Sequence, residues 1–233
     1  MIRAPGPSLR EDMIDNTTLE KWATQYASQR AAREPGWSGA AGYRLKQDRI
    51  TEALSEHHVP TPAIFLQLGC GAGNIALWMA SRGFSAFGVD LVPEAIQWAK
   101  DKAVESALSA QFIVANLAQM PMFQDGCFDI IFDGDCFHMI TGVDREICFR
   151  EVCRVLKPGG LLIAGGNVRD ESVSDAAARR IITPDGLEYV LCSESELCQE
   201  LRYTGFTILC VKHHPKRGGQ RFVKECLAVH ATR

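Results

Sequence analysis

The chain has 233 residues, enough for one α/β domain with a sizeable core and short for two. A net charge of −3 with 46% hydrophobic residues offers no general attraction to nucleic acid or to an anionic membrane. The nine cysteines are odd in number, lack a Cys-x-x-Cys pair and sit mostly inside apolar patterns. They therefore argue against a disulfide scaffold or a zinc site and for a reducing cytoplasm, with no metal expected.

Met1–Asp12 is interrupted by prolines and charges and has no signal-peptide core. Residues 1–60 are expected to form a helical cap ahead of a compact domain over 61–233. A first helix starts at Asn16 or Thr17 and carries Leu19, Trp22, Ala23, Tyr26 and Ala27 at helical spacing. The Gly/Pro-containing link Glu34–Gly39 ends it, and an amphipathic helix follows over Tyr43–Glu56. Trp22, Tyr26 and Trp37 are candidates to close over a flat or apolar ligand, as part of a lid.

The most informative stretch is Ala63–Asn74. An apolar run reads as a buried strand, ends in Gly69-Cys70-Gly71-Ala72-Gly73, and re-enters a helical pattern over Gly73–Arg82. Such a turn leaves bare backbone at a helix N-terminus, where a ligand can lie against it. Val59 to Ser81 carries no charge, but two prolines and the glycines break it, which excludes a membrane span. A second apolar run ends in Asp90, roughly 20 residues beyond the loop, the usual spacing in a nucleoside-binding βαβ unit.

Glu94–Ala107 reads as a helix, Gln111–Ala115 as a strand leading into Asn116-Leu117, and Cys127–Phe132 as a strand with Asp133 at its carboxyl end. Asp144–Leu156 is a helix stopped by Lys157-Pro158-Gly159-Gly160, and Leu161–Ala164 is the next strand. Val168–Glu188 is polar and irregular, with a helical turn expected at Ala176–Arg180 and a part in substrate selectivity. Ser193–Thr204 is a helix with a Ser cap, and Phe206–Val211 and Phe222–Ala231 are strands. The link between them is too short for a crossover helix, so they form an antiparallel hairpin. Its cations Lys212, Lys216, Arg217 and Arg221 are a solvated tip or an attraction for an acidic substrate.

Four motifs in order resemble the class I S-adenosylmethionine-dependent methyltransferases: Leu68-Gly69-Cys70-Gly71-Ala72-Gly73, Asp90, Cys127–Asp133 and Arg154–Ile163. The resemblance spans Phe65 to Val229. It implies a Rossmann-like α/β fold, a seven-stranded mostly parallel sheet of order 3-2-1-4-5-7-6, with the last inserted strand antiparallel and helices on both faces. It also implies S-adenosyl-L-methionine as cofactor. Gly69, Cys70, Gly71 and Gly73 would lie against its methionine part, Asp90 would hold the ribose, Leu91 would touch adenine, and Asn116 and Leu117 would read the adenine edge. Asp133 would meet the cofactor's ammonium through its backbone or its carboxylate. Gln67 departs from the family, which usually carries an acid there; it keeps hydrogen-bond acceptance but loses charge.

The turn Gly134–Ile140 after the fourth strand is expected to line the acceptor pocket, with Phe137 part of its wall. His138 is the candidate base or acceptor-orienting residue. Asp135 binds a cationic acceptor or caps the turn. Arg145 and Arg169 are placed to hold a carboxylate or to form salt bridges. Phe132–Asp135 and Ile140–Arg145 are also similar to the thiopurine and thiol methyltransferases, which implies a soft nucleophile. The expected function is methyl transfer to a small-molecule acceptor by in-line displacement, leaning to a thiol or other heteroatom. The alternatives are an RNA or protein methyltransferase of the same fold, or a non-catalytic homologue that keeps the fold.

Overall fold

The computed structural model describes residues 16–140, 142–169, 180–182, 188–214 and 223–233. Two helices come first, α1 (Asn16–Ala31) and α2 (Gly39–Glu56). The alternating core follows: β1 (Ile64–Leu68), α3 (Asn74–Ser81), β2 (Ser85–Asp90), α4 (Pro93–Ser106), β3 (Ala110–Val114) and β4 (Phe128–Asp133). A 3-10 turn (Phe137–Met139) leads to α5 (Gly142–Val155) and then to β5 (Leu156–Arg169), much longer than the four residues expected. A small hairpin, β6 (Arg180–Ile182) and β7 (Glu188–Val190), precedes α6 (Glu194–Tyr203), β8 (Thr207–His214) and β9 (Val223–Thr232).

The main sheet has the order β3-β2-β1-β4-β5-β9-β8. Its first five strands are parallel, and β9 runs antiparallel to both β5 and β8. This is the expected order, with β6 and β7 standing apart as their own two-stranded sheet. The helical turn expected at Ala176–Arg180 lies outside the described residues except for Arg180, which opens β6. Lys216, Arg217 and Arg221 also lie outside them.

Alternation along the strands builds a core on each face. Phe65, Ile130, Phe132 and Ile163 pack with Ile50 of α2, Ile75 and Met79 of α3 and Ile96 of α4. Leu66, Leu68, Ile131 and Leu162 pack on the other face with Phe149 and Val152 of α5 and Leu197 and Leu201 of α6. Each fully buried Leu, Ile or Phe contributes roughly 1.5–3 kcal/mol. α1 sits outside this core and packs Leu19, Trp22, Ala23 and Tyr26 against Val92, Ala95 and Trp98. Ser193 caps α6 through a capping box with Glu196, as its spacing predicts.

Candidate active site

The parallel strands point their carboxyl ends at one rim, and a cavity of about 340 Å³ opens there. Its lining contains Gln67, Gly69, Cys70, Gly71, Asp90, Leu91, Asn116 and Leu117 from the first three βα connections. Across from them stand Gly134, Asp135, Cys136, His138, Met139 and Ile140 from the turn after β4. Trp22, Tyr26, Trp37, Tyr43 and Lys46 of the N-terminal segment complete the wall.

The glycine loop allows close approach. Gly69 and Gly71 hold φ of +55° and +52°. A Cβ at Gly69 would fall 2.6 Å from Cys136 Cβ, and one at Gly71 3.0 Å from the Tyr26 hydroxyl. Gly73 corrects its expected role: it takes the N-cap of α3 with φ +76° and does not line the cavity. A Cβ there would meet Phe112 and Ala99 at 2.7–2.8 Å, so its smallness serves helix packing.

Gln67 substitutes for a carboxylate without losing the contact. Its Oε1 accepts from the Ala76 amide at 3.0 Å, in the first turn of α3 where such amides lack helical partners. The Asp90 carboxylate accepts from Gly71 N at 2.8 Å and Val92 N at 3.0 Å. Burial raises its pKa against the pull of those amides. Each oxygen retains a lone pair for a further donor. Asn116 Oδ1 accepts from Ala118 N at 2.9 Å, a local turn that aligns the side chain at the cavity edge.

Of the two groups of Asp133 expected to meet a ligand, backbone and carboxylate, the carboxylate faces inward. It is fully buried, is absent from the cavity lining, and turns inward to accept from Cys136 N at 2.8 Å and Cys136 Sγ at 3.1 Å. It shapes the turn that presents the next residues. Burial, then the neighbouring Asp135, push its pKa up to about 6.

Asp135 occupies the wall with φ +67°. Lys46 lies 3.1 Å and Arg49 3.4 Å from its carboxylate, and Lys46 also donates to Gly134 O at 2.8 Å. Burial alone would raise Asp135, but these two cations outweigh it and hold the pKa at about 2. Asp135 is thus committed to internal cations from α2. His138 lines the cavity, and burial lowers its pKa to about 4, against the opposing pull of Asp135. Its imidazole is neutral near pH 7.

Phe137 and Arg169 do not reach the cavity. Phe137 is 3% exposed and meets Phe149 edge-on, with centroids 4.6 Å apart. Arg169 is buried at the end of β5 and pairs with Glu196 at 2.5 Å. Arg145 is likewise internal, bonded to Glu200 at 2.7 Å and to the Phe137 carbonyl. The eight described cysteines are free, and burial pushes the Cys70 and Cys136 thiols well above their ordinary value. Trp37, 41% exposed, leans on Tyr26 with centroids 5.2 Å apart at the outer margin.

Sequence reading missed Lys46, Asp144 and Cys148, all on the cavity wall. A signal existed for Lys46: with Arg49 it is a cation on the helical stripe of Tyr43, Ile50 and Ala53, and all five are buried.

Residues 66–164 match the family described as methyltransferase domain. The chain is 33% identical over 134 residues to the 2-heptyl-1-hydroxyquinolin-4(1H)-one methyltransferase of Mycobacteroides abscessus, covering 57% of this chain and 56% of that protein. It is 31% identical over 164 residues to the ubiquinone biosynthesis O-methyltransferase of Xanthomonas campestris pv. campestris, covering 68% of this chain and 64% of that one. The chain thus spans between about half and two thirds of the length of these relatives. A solved structure of Burkholderia thailandensis 1,6-didemethyltoxoflavin-N1-methyltransferase, holding that compound and S-adenosylhomocysteine, superposes with a TM-score of 0.70 at 19% identity. That likeness of fold covers 99% of this chain and 94% of that one. No helix among the described residues is long and apolar enough to cross a membrane. By its domain match over residues 66–164 and its sheet order, the chain is similar to the class I S-adenosylmethionine-dependent methyltransferases.

Proposed function

We propose that the chain methylates a small-molecule acceptor, using S-adenosylmethionine, and that the acceptor atom is a thiol or another soft or acidic heteroatom. One observation carries this reading. The bare glycine backbone with Asp90 and the turn holding His138 face a single cavity, roofed by aromatic rings from α1 and α2.

The residues fit the cofactor. Gly69 and Gly71 line the cavity with backbone that carries no side chain, Asp90 keeps lone pairs for two ribose hydroxyls, and Leu91 and Leu117 offer apolar contact to a purine. Asn116 supplies an amide at the edge of that contact. The cofactor supplies an activated methyl group, open to in-line displacement by a nucleophile. The protein's part is then alignment and exclusion of water. Trp22, Tyr26 and Trp37 form the cover, so the described part of the N-terminal segment, 16–60, acts as the lid of the 61–233 domain, the rest of the expected 1–60 cap lying outside the described residues.

His138 favours an acceptor that ionises readily. With a pKa near 4, the neutral ring draws protons weakly from an alcohol or an ammonium group. It can accept a hydrogen bond and orient an acceptor whose proton has already left to solvent. A thiolate, an acidic phenol or an N-hydroxy heteroaromatic fits this condition. The names of the two curated relatives, one a hydroxyquinolinone enzyme and one an O-methyltransferase, agree with this class.

The test is a methyl-release screen with purified protein against thiols, acidic phenols, N-hydroxy heteroaromatics, amines and carboxylic acids. Turnover is expected in the first three groups. Turnover confined to alkylamines or to RNA would remove the proposed acceptor class.

A further inference from the structure

A second cluster of chemistry-bearing side chains lies away from the cavity, where α2 meets the terminal hairpin. Glu56 is the last residue of α2 and His57 takes its C-cap. Cys210 on β8 and His230 on β9 are direct cross-strand partners, so their side chains emerge on one face. The register shifts between Ile208 and Cys210, a bulge of the kind that re-aims a side chain.

The four donors converge. His57 Nε2 lies 3.0 Å from His230 Nδ1, and Cys210 Sγ lies 3.2 Å from His230 Nδ1 and 3.9 Å from His57 Nε2. Glu56 Oε2 is 3.9 Å from His230 Nδ1, and all four donor atoms fall within 4.8 Å of one another. His230 is fully buried while Glu56 remains exposed. None of the four lines the cofactor cavity.

We propose that Glu56, His57, Cys210 and His230 bind a divalent transition-metal ion of the zinc class and so staple α2 to the β8–β9 hairpin.

Zinc bonds of about 2.0–2.3 Å in a tetrahedron set neighbouring donors roughly 3.3–3.6 Å apart. The contacts among His57, Cys210 and His230 scatter around that edge length, and the exposed carboxylate has freedom to close on the ion. Two imidazoles, a thiolate and a carboxylate are a zinc set rather than a calcium or magnesium set, because nitrogen and sulfur dominate. The His57 and His230 rings meet edge-on at 84°, with Nε2 of one and Nδ1 of the other 3.0 Å apart in a hydrogen bond. An ion there replaces the single proton they share.

Lys212 sets the limit on affinity. Its ammonium holds Glu56 Oε1 at 2.5 Å, which orients the carboxylate from outside and leaves Oε2 for the ion. Its charge opposes the cation. Glu52 also approaches Lys212, at 3.8 Å, and offsets part of that charge. Coordination requires Cys210 as thiolate, so binding releases its proton to solvent. The site was invisible to motif spacing because Cys210 stands 153 residues beyond His57.

The consequence reaches the cavity through α2, which carries Tyr43 and Lys46 on its wall. Fixing the helix at its C-terminal end favours one position of that wall.

The experiment titrates Co(II) into chelator-treated full-length protein and reads absorbance, with Zn(II) as competitor. One equivalent is expected to give a near-ultraviolet thiolate band and the visible bands of a tetrahedral ion, both lost on adding Zn(II). Cys210→Ser is expected to remove the thiolate band and weaken binding at least about 100-fold, more than loss of an outer-shell partner costs. Glu56→Gln, on an exposed side chain, is expected to weaken binding roughly tenfold without disturbing the fold. Binding of S-adenosylhomocysteine, read separately, is expected to survive in both variants. Failure to bind one equivalent, or an affinity and spectrum that neither variant changes, overturns the proposal.

Discussion

Lys46 of α2 and Asp135 of the turn after β4 form an ion pair of 3.1 Å, with side chains only 8% and 31% exposed. The pair ties the N-terminal segment to the rim of the cavity. Replacing Asp135 by Asn leaves Lys46 and Arg49 without their anion. The folded pKa near 2 lies below the unfolded value near 4. The stabilisation is therefore fully present above pH ~4 and is lost as pH falls to ~2. Urea melts should show Asp135→Asn less stable by about 2 kcal/mol at pH 6, with the gap closing toward pH 2.

Asp133 titrates with the opposite sign. Burial and the adjacent Asp135 lift its folded pKa to about 6, so its contribution is present below pH ~4 and lost as pH rises through 6. In Asp133→Asn the stability change between pH 4 and 6 should flatten by roughly 2 kcal/mol relative to the parent, measured by the same melts.

Asp90→Ala removes the acceptor of two backbone amides as well as the proposed ribose contact. Calorimetry with S-adenosylhomocysteine should show affinity falling at least about 100-fold, since charge-assisted bonds contribute roughly 1.5–3 kcal/mol each. Unchanged affinity would place the nucleoside elsewhere.

His138→Ala should leave that affinity intact and slow single-turnover methylation. A residue that only orients an ionised acceptor should cost about tenfold, whereas a proton acceptor in the transition state costs about 10²–10⁴-fold. In the parent, the pH profile should show no limb from this ring between pH 6 and 8, because its pKa sits near 4.

Gln67→Leu strips the Ala76 amide of its acceptor inside the fold. Denaturant melts should register a loss of about 1–3 kcal/mol, the cost of a buried unsatisfied donor. Gln67→Glu should retain the bond and most of the stability.

The sheet order came from the resemblance to the methyltransferases, whereas the alternation of strands and helices and the reversed strand at the end were legible because the strands read as apolar runs and the crossovers carry helical stripes. The cavity floor was legible for the same reason: Gly69, Gly71, Asp90 and Leu117 stand at strand ends, where topology alone puts them on one rim. What the linear pattern lacked was the direction of side chains in the irregular turn after β4. Phe137 and His138 are adjacent, yet the 3-10 turn sends one into the core and the other onto the wall. Asp133 was read as a ligand contact but turns back to satisfy Cys136. Arg169 sat at the expected strand end, and a longer β5 carried it to Glu196 instead. The ion pair from Lys46 was hidden by 89 positions of intervening chain, as was the histidine and cysteine cluster across the hairpin.

The placement of β9 has a bearing on how the molecule is made. It lies between β5 and β8 and pairs with β5 from Leu161–Thr232 to Arg169–Val223. Until residues 223–232 leave the ribosome, β5 carries an open row of amides and carbonyls and β8 has no neighbour to join. Such an edge invites pairing with another nascent chain. Production of this protein should therefore be most vulnerable to aggregation late in translation, and chaperone dependence should centre on that interval.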